Sequence, residues 1–216
     1  MSGGKPKSGR GPQRRIGGNA DPLSRKLTDA GTMRALANPV RLALLDALVL
    51  EGELTATRAS ELVGESPSNC SFHLRQLAKY DFIEEADTVP GRPRPWRLKT
   101  LGTSIDRWDV APTEASVAAQ HLSRMYHERY LERLRAWWAS YHLYPKVWQE
   151  AAETDQTIWW VTPEELEHLN GQLAKLTSRY RERLLDPARR PSGSVPVEFL
   201  AFSYPLRLPK DTDKQM

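Results

Sequence analysis

Between Asp29 and Lys79 the apolar positions recur at intervals of three and four, in short runs that are each bounded by capping residues. A step of about 100° per residue puts such positions on one side of a helix. Asp29 to Leu36 predicts a first short helix, closed by Asn38 and Pro39, which also start the next one. Asn38 can accept from an unpaired backbone N–H, and Pro39 suits the first turn, where its missing N–H would have had no partner. Val40, Leu44, Leu45 and Leu48 then form a stripe that ends at Gly52. Thr55 caps the run ATRASELV, in which Ala59, Leu62 and Val63 are expected to face inward, and Gly64 supplies a left-handed C-cap.

The next stretch, ESPSNCSFHLRQLAK from Glu65 to Lys79, has two unlike faces. Ser66 is the N-cap and Pro67 takes the first position, which puts Cys70, Leu74 and Leu77 on the buried side. Ser68, Phe72, Arg75, Gln76 and Lys79 collect on the other side, with Asn69 and Ser71 at its borders. A solvated helix face is normally rich in both Glu and Lys. This one has hydroxyls, amides, an Arg, an exposed Phe and no acid, which are groups able to read base edges; Phe72 suits a thymine methyl. Two short helices across a tight Gly-containing turn, the second with a polar outward face, predict a helix-turn-helix.

FIEEADTVPGRPRPWRLK follows. Ile83 to Ala86 and Trp96 to Lys99 have strand character, and Pro90-Gly91 is a turn signal of the type II kind, so a β-hairpin is expected. Its tip and return strand carry Arg92, Arg94, Arg97 and Lys99, with no acid from Val89 to Thr100. An Arg-bearing hairpin suits phosphate contact or a narrow minor groove. Taken alone it reads equally well as an ordinary solvated hairpin; the adjacent helix tips the reading toward DNA.

ALANPVRLALLDAL, then ATRASELVGESPSNCSFHLRQLAKYDFIEEA, then a basic wing, resembles the winged helix-turn-helix of ArsR-type bacterial transcription regulators. The likeness covers roughly residues 29–103 and rests on the N-P-x-R-L start, the Ser-x-x-x-x-His-Leu-x-x-Leu core of the second helix, and the wing. It implies base or phosphate contacts for Ser68, Asn69, Phe72 and Arg75, a phosphate contact for Ser71, and packing for Cys70, Leu74 and Leu77. Asp81 stands where the family usually has Gly; Asp tolerates the left-handed region better than most residues, so the turn is expected to be kept. Metal-sensing members carry cysteines in the first helix of the motif, and LTATRASELV has none, so metal sensing at that place is not expected.

Beyond Pro112 a long helix is expected from Thr113 to about Tyr144, with Ala115, Ala118, Leu122, Tyr126, Tyr130, Leu134, Trp137 and Tyr141 on one side. A stripe that long and aromatic predicts a partner helix, most simply that of a second subunit, and a dimer suits two half-sites about one DNA turn apart. After Pro145 one or two further turns are expected from Val147 to Ala152. QTIWWV reads as a strand, Thr162-Pro163-Glu164-Glu165 is a capping box, and Leu166, Leu169, Leu173, Leu176, Tyr180 and Leu184 form a heptad-like seam. DPARRPSGS reads as a linker and VPVEFLAFSY as a last strand, antiparallel to QTIWWV. The strand-TPEEL-helix-strand order also resembles the C-terminal region of a group of actinobacterial-type regulators, which implies a module for dimerisation and for an effector of unspecified chemistry.

The expected fold class is mainly α with small β: a winged helix-turn-helix, then long helices and two short C-terminal strands. The divisions are a disordered basic tail over 1–26, a DNA-binding domain over 27–108, a helical dimerisation and effector domain over 109–208, and a flexible tail over 209–216. The chain of 216 residues carries a formal net charge of +4. Most of that charge sits in residues 1–26, where seven Lys and Arg face Asp21 alone. The tail reads equally as a non-specific DNA arm or a solubilising leader. No apolar run approaches the roughly 20 residues of a membrane span, no secretory h-region opens the chain, and one cysteine excludes an internal disulfide, so a cytoplasmic, nucleoid-associated protein is expected.

Six of the seven Trp lie from Trp108 to Trp160. Trp137, Tyr141, Trp148 and Trp159 are therefore candidates for an apolar small-molecule pocket, against the plainer reading of core or dimer interface. The histidines do not suggest a metal site: His121 and His127 fall on different faces, and Leu131 stands where a zinc-hydrolase helix needs its second His. His73, near the edge of the buried stripe, is expected to pack or to touch a phosphate. No nucleophile motif or phosphate-cradling loop is present, so neither an enzyme nor a cofactor is expected. The expectation is a dimeric, sequence-specific regulator bound to double-stranded DNA through Ser66, Ser68, Asn69, Ser71, Phe72, Arg75, Gln76, Lys79, Arg92 and Arg94. The rival is a winged-helix protein-interaction module without base reading.

Overall fold

The structure, a computed structural model, describes residues 24–87, 94–100, 102–105 and 113–208. In its N-terminal part β1 (Ser24–Leu27) leads to α1 (Ala30–Leu36), α2 (Pro39–Glu51), β2 (Glu53–Leu54), α3 (Ala56–Val63) and α4 (Pro67–Lys79). Then come β3 (Ile83–Glu85), β4 (Trp96–Leu98) and β5 (Gly102–Ile105). The caps act as their residue types dictate: Asp29 accepts from the Thr32 N–H at 2.7 Å, Asn38 from Arg41 at 3.1 Å, and Thr55 from Arg58 at 3.2 Å. Gly64 ends α3 at φ 76°, which a side chain would resist.

β2, β4 and β3 form an antiparallel sheet with β4 central, registered as Glu53 opposite Arg97 and Ile83 opposite Leu98. This sheet backs one core, in which Leu36, Leu44, Leu48, Leu74, Leu77 and Phe82 are almost fully buried. Leu62, expected to face inward, is 42 % exposed. It lies on the flank of the short α3, and Ala59 is the residue of that helix that is fully buried.

Residues 24–26, which the sequence reading placed in a basic tail, begin a strand. β1 pairs in parallel with β5, Leu27 opposite Ile105, and Leu27 is core. Arg25 lies over the Phe82 ring at 4.9 Å and donates to the Tyr80 carbonyl. A charge count assigns that guanidinium to solvent, whereas here it is consumed by a ring face and a carbonyl. Residues 1–23 lie outside the described residues, as does the expected domain boundary at 108.

α5 (Glu114–Ser140) is capped by Thr113, which accepts from Ser116 at 3.1 Å. Its first turns pack on α1 and bury Ala118, Ala119 and Leu122. Farther along, the expected stripe loses its cover: Tyr126, Tyr130, Leu134 and Trp137 are half-buried and Tyr141 is exposed. A 3₁₀ turn, Tyr141–Leu143, and α6 (Lys146–Ala151) follow, then α7 (Pro163–Ser178), whose capping box joins Thr162 and Glu165 at 2.7 and 3.2 Å. The heptad seam does not run through one helix. Thr177 and Ser178 turn their hydroxyls back onto the Leu173 and Lys175 carbonyls, and the chain restarts as α8 (Glu182–Leu185).

The mainly helical class with a small β content holds, but the two expected C-terminal strands do not form: 156–161 and 195–204 are neither helix nor strand. A strand is stable only with a partner for its backbone groups, and neither segment meets one among the described residues. Their side chains are correspondingly open, Trp160 at 95 % and Val197 at 72 %. The later segment folds back toward α5. Glu198 pairs with Arg133, and the Phe202 ring meets His127 edge-on at 5.4 Å.

Candidate nucleic-acid interface

α4 is positioned by the core beneath it. Cys70 and Leu74 are fully covered and Leu77 nearly so, and burial pushes the Cys70 thiol up, away from the reactive thiolate. His73 is also buried, at 8 % exposure. Burial, with Arg41 nearby, holds its imidazole below the usual range, so it packs as a neutral ring against the edge of Phe72 at 5.1 Å. Of the two roles open to it from the sequence, packing is the one the structure provides.

The opposite side leaves Ser66, Ser68, Phe72, Arg75 and Lys79 exposed, and Asn69, Ser71 and Gln76 partly covered. Several of these groups are already oriented. Ser66 accepts from the Asn69 N–H at 3.2 Å, its hydroxyl lies 3.1 Å from that of Ser68, and Arg75 donates to the Ser71 hydroxyl at 2.7 Å. The Asn69 amide donates to Glu65 at 2.8 Å. Glu65 thus places an acid beside the start of a face that has none of its own.

The wing differs from its sequence reading. Arg94 pairs with Glu85 at 3.1 Å, Arg97 with Glu84 at 2.9 Å, and Lys99 with Asp81 at 2.5 Å. The run free of acids along the chain is therefore faced by acids across the ladder. Asp81 keeps the expected left-handed turn, at φ 64°. The hydrogen bond from Lys99 holds its carboxyl below the usual range. The signal for these partners was in the sequence, since counting outward equally from Pro90-Gly91 sets Glu84 opposite Arg97. These pairs are exposed, so they are individually weak and can exchange for a phosphate. Arg92 lies outside the described residues.

The four candidate pocket residues differ in how far they are covered. Trp137 and Tyr141 meet edge-on at 5.3 Å, the Tyr141 hydroxyl donates to the Gln149 carbonyl at 3.2 Å, Trp148 is half-buried and Trp159 is 59 % exposed.

A short helix, a tight turn, an exposed second helix and a two-stranded wing on one core define a winged helix-turn-helix. Residues 36–86 match the family model described as a helix-turn-helix domain, in agreement with the helix-turn-helix expected there from the sequence. Three solved structures are similar over part of the chain. One is the homodimeric winged helix-turn-helix DNA-binding domain of Mb0332 from Mycobacterium bovis, described as a possible ArsR-family transcriptional regulator, at 23 % identity and TM-score 0.31 over 48 % of this chain and 82 % of that one. Another is a transcriptional regulator homologue from Pyrococcus horikoshii, at 18 % identity and TM-score 0.30 over 49 % and 92 % of the two chains. The third is the transcriptional regulator Tm0710 from Thermotoga maritima, at 12 % identity and TM-score 0.27 over 68 % and 84 %. No curated protein matches the chain.

Proposed function

We propose that this chain is a dimeric, sequence-specific DNA-binding transcription regulator that inserts α4 into the major groove and sets the wing against the backbone or minor groove. One observation carries this reading: α4 is fixed by a fully buried side while its other side leaves Ser68, Phe72, Arg75 and Lys79 exposed without an acid. A helix so anchored can hold a few side chains at base-edge depth, Arg75 for a guanine and Phe72 for a thymine methyl. Ser66, Ser71 and Lys79 suit phosphates near the ends of the helix, while Asn69 and Gln76 are amides suited to adenine. Arg94 supplies charge there once DNA displaces Glu85, and Arg92, close to it in the sequence, is expected to add to it.

The dimer is supported by the apolar surface left open beyond α5, including Trp160, Val197 and the α7 seam. Such surfaces mark interaction sites. The docking-module alternative is weaker because the outward face of α4 shows one large apolar residue, Phe72 at 49 %. Among the described residues no helix is long and apolar enough to cross a membrane, and a cytoplasmic, nucleoid-associated place follows from the DNA reading.

The test is selection of bound sequences from random duplex DNA with the full-length protein. A palindromic motif is expected, and no enrichment would sink the regulator reading. On the selected site Arg75→Ala should cost about 1–3 kcal/mol and relax specificity, while Glu85→Gln should strengthen binding to any duplex at low salt by freeing Arg94. Equal losses from Arg75→Ala on specific and random DNA would remove its base-reading role.

A further inference from the structure

A cavity of about 520 Å³ lies where the DNA-binding unit meets the C-terminal half. α2 supplies one wall with Leu42, Leu45 and Asp46, and the floor is made by Leu98 at the base of the wing together with Thr103 and Ile105 of β5. Tyr126, His127 and Tyr130 of α5 form the facing wall, and Phe202 closes one side from the returning segment 195–204. The Thr103 and Tyr126 hydroxyls lie 3.2 Å apart, linking floor to wall.

The carboxylate that lines this cavity, Asp46, is neutralised by neighbouring cations. Arg129 and Arg133 both pair with Asp46, and Arg133 also pairs with Glu198, so two cations meet two carboxylates. Burial pushes the Tyr130 phenol up to about 12 and raises that of Tyr126 as well, so both remain neutral hydroxyls. Aromatic faces, several hydroxyls and no unbalanced charge describe a site for an uncharged guest, since an ion would bring a desolvation cost that nothing here offsets.

We propose that this cavity is an effector site for a neutral, ring-containing organic molecule bearing hydroxyl or carbonyl groups, stacked among Tyr126, Tyr130, His127 and Phe202 and acting on the base of the wing. The effector role rests on the regulator reading above; the binding site does not. Because Leu98 of the wing strand β4 is part of the floor, a guest that favours one setting of the floor favours one setting of the wing, and DNA in turn alters the affinity for the guest. The Arg133–Glu198 pair and the Phe202–His127 contact tie the returning segment to the same site.

Two dyes test this on the full-length protein: N-phenyl-1-naphthylamine, which is neutral, and 8-anilino-1-naphthalenesulfonate, which has the same rings plus a negative charge. The neutral dye should bind saturably, one per chain, and roughly tenfold or more tighter than the sulfonate. Ser123→Phe, which fills the cavity from α5, should weaken the neutral dye by about tenfold, and Phe202→Ala should weaken it severalfold, with circular dichroism confirming that each variant is folded. Leu208→Ser, at an exposed apolar position, should leave binding unchanged. Equal binding of both dyes, full binding by Ser123→Phe and Phe202→Ala, or loss in Leu208→Ser would overturn the site, as would a cavity already filled by a second copy and binding neither dye. Dye binding is read without DNA, so it stands or falls apart from the regulator reading. If the protein binds a selected duplex and saturating neutral dye leaves that affinity unchanged, the effector role is refuted.

Discussion

From Leu27 to Leu122 nearly every apolar stripe finds its cover within the chain; beyond Leu131, almost none does. All the buried hydrophobic residues among those described fall in the first region. The second exposes Trp159, Trp160, Val197, Phe199, Tyr204 and Leu206, among others. Both regions carry well-capped helices with regular spacing, so local propensity does not separate them. They differ in the third dimension. α1 to α5 cross one another and share a core, whereas α6 and α7 bury no residue at all. Most helical stability comes from packing an apolar face, so the first region has a core to hold its helices and the second leaves its apolar faces largely open. α5 belongs to both regions: its first turns are core, and farther along Arg129 and Arg133 grip Asp46 of α2.

The strongest test of this contrast lies in the closed region. Leu74→Ala should cost about 2–5 kcal/mol in urea unfolding, because the core around a fully buried leucine cannot collapse into the space left. A loss below about 1 kcal/mol would mean that this core is loose, and the comparison would break. A smaller effect is expected in the open region. Leu169→Asp combined with Leu173→Asp, in the α7 seam, should raise the dimer dissociation constant by about tenfold, or about 1.4 kcal/mol, by sedimentation equilibrium. The helical signal should stay, and an unchanged constant would move the interface off α7.

The smallest effect is one of pH. The His73 imidazole is held below its ordinary value in the folded chain, so as pH falls below about 6.5 the unfolded chain takes up the proton first. Stability from this group is therefore complete above that value and declines beneath it, until the folded imidazole also protonates. His73→Gln should flatten the slope of unfolding free energy between about pH 7 and 5. If the wild-type slope survives the substitution, the proton binds elsewhere.

Much of this was legible in the sequence because it is local. Asp29, Asn38, Thr55, Ser66, Thr113 and Thr162 cap where their side chains reach an N–H three residues on, and Asp81 turns where its own backbone permits. The buried side of α4 followed from spacing alone, because one apolar stripe on a short helix has one way to face a core. What spacing could not state was which residues stand opposite. Arg25 over Phe82 and the cavity floored by β5 join residues far apart in the chain. Their partners are fixed by sheet register and helix crossing rather than by neighbouring residues. For the same reason QTIWWV and VPVEFLAFSY read as strands but are not strands here: sequence sets the propensity to extend, and only a tertiary or quaternary neighbour can complete the ladder.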